Sequence, residues 1–81
     1  MRLAVSLGNL AESYRNQDKY EQAEPLYKRS LAILESGLGM DHPTIVEILQ
    51  NYAGLMHKMK RPADAERLEE RAKTIRAKNP Q

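Results

Sequence analysis

The sequence predicts an all-α fold made of two helical hairpins packed side by side. Three observations predict it. The first is an internal repeat. LGNLAESYRNQDKYEQAEPLYKRSLAI, from Leu7 to Ile33, returns as LQNYAGLMHKMKRPADAERLEERAKTI, from Leu49 to Ile75, at an offset of 42 residues. Under that offset Leu7, Asn9, Ala11, Ala23, Glu24, Leu26, Arg29 and Ile33 fall on Leu49, Asn51, Ala53, Ala65, Glu66, Leu68, Arg71 and Ile75. Lys19 also falls on Arg61, Ser30 on Ala72 and Leu3 on Ile45. A fixed period of this size marks stacked helical units. The second observation is that apolar residues step by three and four, the spacing of one helix face. The third is composition. With 41% apolar and 30% charged residues among 81, the chain suits amphipathic helices rather than disorder.

The first helix is expected near 3–17. Leu3, Ala4, Leu7, Leu10, Ala11 and Tyr14 mark its apolar face. The polar run Asn16-Gln17-Asp18-Lys19 then reads as a turn. The second helix is expected near 20–36, with Tyr20, Ala23, Leu26, Tyr27, Ser30, Leu31, Ile33 and Leu34 spread over more than one side. A helix packed by neighbours on two sides has that pattern. Pro25 lies inside it. Proline lacks an N–H, and its ring presses on the carbonyl of Glu21, so a bend is expected there. The apolar pattern nevertheless runs through it. Ser36 to Met40 reads as a loop, with Gly37 taking the left-handed conformation that closes the helix. Asp41 and Pro43 then read as a capping carboxylate and a first-turn proline.

The third helix is expected near 43–59, with Ile45, Ile48, Leu49, Tyr52, Ala53, Met56 and Met59 on one face. Lys60 and Arg61 form the next turn, and Pro62 opens a fourth helix near 62–78. Its apolar stripe is thin, namely Ala65, Leu68, Ala72 and Ile75. Acidic Asp64 and Glu66 come early and basic Lys73, Arg76 and Lys78 late, an order that suits the helix dipole. Glu69 stands four residues before Lys73, the better orientation for a helical ion pair. The expected organisation is one repeat domain over 1–81, with hairpins at 3–36 and 43–78.

Bulk chemistry removes several function classes. Thirteen basic and eleven acidic residues leave a net charge of +2, too weak a field to call for nucleic acid or an anionic membrane. There is no cysteine, hence no disulfide, thiolate nucleophile or cysteine-based metal site. No apolar run approaches the roughly 20 residues of a membrane span. The start, MRLAVSLGNLAES, reads as helix rather than signal peptide, and a cytoplasmic location is expected.

Ala11 with Ala23, and Ala53 with Ala65, are small residues at matching points of adjoining helices. Small side chains let two helix axes approach closely, with large neighbours such as Tyr14 and Tyr27 filling the space beside the crossing. The arrangement Leu7, Leu10, Ala11, Tyr14, then Ala23, Tyr27, Ser30 resembles the tetratricopeptide repeat. The 42-residue spacing, YEQAEPLYKRSLAI from Tyr20 to Ile33, and GMDHP from Gly39 to Pro43 are similar to the kinesin light chain type of that family. The resemblance covers about Leu3 to Lys78. It implies a right-handed stack of hairpins that binds other proteins, with proline tolerated at position 25. Two departures stand out. The family favours glycine in the turn inside each hairpin, where this chain has Asp18 and Lys60, at about 1 kcal/mol of strain each. Glu69 stands where the first copy has Tyr27. A carboxylate is not buried cheaply, so the last helix is read as the cap of an array.

Catalysis and metal binding have little support. His42 and His57 lack ligand spacing and read as a loop residue and a partly exposed polar residue. Carboxylate pairs such as Glu21 with Glu24, or Glu66 with Glu70, lie on charged faces rather than in a desolvated site. There is no nucleophile motif or glycine-rich phosphate loop, and Asp41 ahead of the third helix would repel phosphate. No cofactor and no enzymatic activity are expected. The basic residues Lys58, Lys60, Arg61, Arg67, Arg71, Lys73, Arg76 and Lys78 offer nucleic-acid binding as the alternative function. Interleaved Asp64, Glu66, Glu69 and Glu70, and the lack of aromatics after Tyr52, favour a solvated ion-paired face.

Asn9 and Asn51 share a repeat position, opposite Ala11 and Ala53. Helical stepping groups Asn9 with Glu12 and Asn16, and Asn51 with Gly54 and Lys58; Val5, Gly8, Arg15, Glu47, Gln50 and His57 flank them. In the resembled family the first helices line a concave groove, and an asparagine here bonds peptide backbone. That implies a protein or peptide partner on these twelve residues. Repeats that grip a C-terminal carboxylate need a lysine and a second asparagine where this chain has Gly8 and Glu12. A peptide of mixed or basic character, or one held by its backbone, is therefore expected. Two repeats also fall short of the about three that a stack usually needs. Leu3, Val5, Leu7 and Leu10 are expected to be exposed at the uncapped first helix, although some of them must face inward, and to form a two-fold homodimer, with hairpin exchange through Ser36–Asp41 as a second route.

Overall fold

A computed structural model describes residues 2–39 and 42–79. Four α-helices follow in order: α1 (Arg2–Asn16), α2 (Tyr20–Leu38), α3 (Thr44–Lys58) and α4 (Pro62–Lys78). α1 pairs with α2 and α3 with α4, giving two hairpins; α2 then packs against α3, while α1 touches α3 lightly. Among the described residues there is no strand.

The two intra-hairpin turns are built alike. Asp18 has φ 62° and Lys60 has φ 59°, both left-handed. In the first turn the Lys19 N–H donates to the Tyr14 carbonyl at 2.8 Å and the Asp18 N–H to that of Arg15 at 3.0 Å. In the second, Arg61 donates to Met56 at 2.8 Å and Lys60 to His57 at 3.1 Å. This is the Schellman closure, which satisfies carbonyls that a helix end leaves orphaned. Replacing Lys60 by glycine removes the Cβ penalty of the left-handed region. Lys60→Gly is expected to stabilise the chain by roughly 0.5–1 kcal/mol in urea titration. Asp18→Gly should gain less, because Asp18 Oδ1 accepts a 2.8 Å bond from the Tyr20 hydroxyl that glycine cannot replace.

Pro25 sits exposed inside a continuous α2, where it offers no N–H to the Glu21 carbonyl one turn back. α2 runs on through Gly37 to Leu38, beyond the expected end. The left-handed glycine is Gly39, at φ 91°, whose N–H donates to the Glu35 carbonyl. The extra residues bring Leu38 against the core, which is the physical reason for the later stop. Asp41, expected to cap α3, lies outside the described residues. Pro43 is helical at the N-cap position, and His42 Nδ1 accepts the Thr44 N–H at 3.2 Å.

The core has two parts. One gathers Ala11, Ala23, Tyr27, Tyr52, Ala53, Leu55, Met56 and Ala65; the other gathers Ala4, Leu34, Ile45, Leu49, Ala72 and Ile75. The four crossing alanines are all essentially inaccessible. The buried Ser30 hydroxyl donates to the Ala4 carbonyl at 2.7 Å and ties α2 to α1. Between the hairpins, the rings of Tyr27 and Tyr52 stack with centroids 5.8 Å apart. On α1 the inward residues are Ala4, Leu7, Gly8 and Ala11. Of Leu3, Val5, Leu7 and Leu10, Leu7 is the one that faces inward and is buried, whereas Leu3, Val5 and Leu10 are exposed. Leu3 and Leu10, expected on the apolar face, therefore lie off it. The small residues of α1 face α2 because they permit the closer approach.

Candidate peptide-binding cleft

α1 and α3 border a cleft of about 90 Å³. Six of the twelve expected residues line it: Val5, Gly8, Asn9 and Glu12 from α1, and Glu47 and Asn51 from α3. Their convergence follows from helix geometry. Positions 5, 8, 9 and 12 form one flank of α1, and positions 47 and 51 the facing flank of α3. Two more join them at one end. Arg15 Nη1 donates to the Asn51 carbonyl at 3.3 Å, and a side chain at Gly54 would meet the same guanidinium at 3.4 Å. Gly8 acts in packing: a Cβ there would approach Ile48 Cδ1 to 3.0 Å, so its absence lets the helices close.

Asn16, Gln50, His57 and Lys58 do not line the cleft. The first three, like Lys58, are solvent-exposed. His57 reaches the other way, its Nε2 lying 3.2 Å from Glu69 Oε2 on α4. The last turn of α3 has by then rotated its side chains toward its own hairpin partner. The floor was missed in the sequence. Ala4, Leu34, Thr44 and Ile48 complete the lining. Ile48 stands one turn before Asn51 and Tyr52, and that spacing is the only signal for it.

Chemically, the cleft sets two asparagine side chains on an apolar floor, flanked by the carboxylates of Glu12 and Glu47. Each amide gives two hydrogen bonds and accepts two, enough to engage both the N–H and the C=O of an extended backbone. The carboxylates disfavour an anionic ligand.

The opposite chemistry lies along α4. Arg61 donates to Glu24 Oε2 at 2.8 Å and to Asp64 Oδ2 at 2.9 Å; Arg67 pairs with Asp64, and Arg71 with Glu35. The bonds from Arg67 and Arg61 hold the Asp64 carboxyl below the usual carboxylate range. Tyr52 donates weakly to Glu24 at 3.5 Å, and burial, reinforced by that carboxylate, pushes its hydroxyl up to about 12. Three of the basic residues that offered nucleic-acid binding as the alternative, Arg61, Arg67 and Arg71, are thus engaged with carboxylates of α2 and α4. Glu69, in the position of Tyr27, is about half exposed. Among the described residues no group of three side chains able to hold a metal comes together. Among the described residues no helix is long and apolar enough to cross a membrane.

The family model described as the tetratricopeptide repeat matches residues 2–78. No curated protein sequence matches the chain at a significant level. The match spans both hairpins and agrees with the paired turns and alanine crossings. The chain therefore belongs to the tetratricopeptide repeat family and is a helical-repeat module of the kind that mediates protein–protein interaction.

Proposed function

We propose that the chain is a cytoplasmic scaffold or adaptor module that holds an extended peptide segment of a partner protein in the α1–α3 cleft. The observation that carries this reading is the pair Asn9 and Asn51, which share one repeat position and line one cleft. Backbone hydrogen bonds to two amides give register without demanding a particular side chain. Glu12 and Glu47 select for mixed or basic segments and against a C-terminal carboxylate. α4, with charged Glu69 in place of a buried tyrosine, serves as the cap of the stack. A second copy of the chain is a further partner. No catalytic role enters this reading.

The test is capture of partner proteins on immobilised chain. Asn9→Ala with Asn51→Ala is expected to abolish capture and to leave the helical circular dichroism intact. A double variant that retains the parent's partners would remove the cleft from the function. The alternative, nucleic-acid binding through α4, is separated by reversing the charge of Arg67, Arg71 and Arg76. Loss of RNA retention would favour it. The ion pairs of Arg61, Arg67 and Arg71 argue against it, because the paired carboxylates already offset these charges and would repel a phosphate.

A further inference from the structure

We infer that the cleft between α1 and α3 selects an extended segment built on one aliphatic side chain, with a lysine or arginine two residues to each side of it. This deepens the peptide reading of the cleft and rests on it. Glu12 and Glu47, one on each wall, are the charged residues of the lining. In a chain with 13 basic and 11 acidic residues that is a local reversal of sign. Neither carboxylate is in an ion pair among the described residues, whereas Glu24, Glu35 and Asp64 each hold an arginine. Arg15, one turn beyond Glu12, donates instead to the Asn51 carbonyl at 3.3 Å. Both carboxylates are exposed, so each offers its charge to a cation brought by a ligand.

The floor sets the size of the anchor. Ala4, Leu34 and Ile48 make an apolar base, with Val5 beside it, and the cleft holds about 90 Å³. An apolar cavity of about 150 Å³ takes a benzene ring. A valine, leucine or isoleucine side chain therefore seats in this one, and an aromatic ring stands partly out of it.

The spacing follows from the two backbones. Glu47 stands one turn before Asn51, and Glu12 just under one turn after Asn9, on opposite walls. With the asparagine pair as the midpoint, the carboxylates are separated by about 10 Å of helix rise, and by the width of the cleft as well. In an extended segment alternate side chains share one face. Residues two to each side of the anchor thus also point into the cleft, and they lie about 13 Å apart along the segment. Long basic side chains there reach one wall each. The intervening residues face outward and are unconstrained, while the two amides hold the backbone around the anchor. Acidic residues at the flanking positions would be repelled by both walls.

Titration of the isotope-labelled full chain with end-blocked probe peptides, followed by NMR, tests the proposal. The probe Ser-Lys-Ser-Leu-Ser-Lys-Ser should shift the side-chain amide signals of Asn9 and Asn51 and saturate. The same probe with glutamates for its lysines should bind about tenfold less tightly. One with phenylalanine for leucine should bind several-fold less tightly. Glu12→Lys with Glu47→Lys should reverse the preference between the lysine and glutamate probes, with unchanged circular dichroism because both side chains are exposed. If that variant loses helicity, Glu12→Gln with Glu47→Gln replaces it and should abolish the preference. A glutamate or phenylalanine probe that binds the parent as tightly as the first probe overturns the specificity and leaves the cleft as a peptide site. A preference that persists in the charge variants does the same. Probes that leave both asparagine amides unmoved at roughly millimolar concentration overturn the specificity and the peptide site together.

Discussion

Tyr27→Ala is expected to destabilise the chain by about 3–5 kcal/mol, the range for truncating a buried aromatic residue. Tyr27 is fully buried, and its ring is stacked on Tyr52 at the junction of the two hairpins. Truncation removes the transfer free energy of the ring and leaves a cavity that two docked helices cannot easily collapse. It also removes an aromatic pair worth roughly 0.5–1.5 kcal/mol beyond its area. A chain of 81 residues has about 4–12 kcal/mol of total stability. At the lower end of that range the variant keeps little or no net stability at room temperature. Urea titration followed by circular dichroism measures the loss. Tyr27→Phe is the control. It keeps the ring and removes a buried hydroxyl that has no hydrogen-bond partner among the described residues, so it should cost nothing or stabilise. If Tyr27→Ala melts with the parent, the hairpins are not docked through this stack.

Ala11→Leu and Ala53→Leu form the second large expectation, each costing about 1–3 kcal/mol. Ala11 and Ala53 are 0% and 1% exposed at the crossing points of α1 with α2 and α3 with α4. Three added heavy atoms have no void to enter, so either the axes part or the side chain leaves its rotamer. A loss of 1 kcal/mol lowers the melting temperature by roughly 4–8 °C in a domain of this size. Ala53→Leu should be the more severe. α3 packs against both α2 and α4, and so has less freedom to move than α1. An unchanged melting temperature in either variant would place the crossing elsewhere.

Much of the fold was legible because several local rules agree at each boundary. The polar run at Asn16–Lys19 and the basic pair Lys60–Arg61 recur at one repeat position, and both turned out to be left-handed closures. Proline at position 62 and the break in apolar period at positions 16–19 located helix starts and stops to within a residue or two. What failed was the choice between equivalent options. Gly37 and Gly39 offer the same backbone freedom, and only the burial of Leu38 decides for the second. On α1, Leu3 with Leu10 and Ala4 with Ala11 are parallel stripes, each seven residues apart. Periodicity defines both; tertiary packing chooses the alanines. The cleft was legible in the same degree. The asparagine position was visible from the repeat alone. Whether Asn16, Gln50, His57 and Lys58 belonged with it depended on how α3 rotates against α1 and α4, which no single helix encodes.

The Tyr27–Tyr52 stack has an optical consequence. The chain contains no tryptophan and no phenylalanine, and four tyrosines are its whole aromatic complement. Two of the four touch, and they touch across the junction between the hairpins. Near-ultraviolet dichroism from that ring pair therefore reports docking, while the far-ultraviolet signal reports helix content. A hairpin that stays helical but swings away from its neighbour would lose the first signal and keep the second. The protein thus has a built-in, label-free means of telling the joining of its two halves from the formation of each.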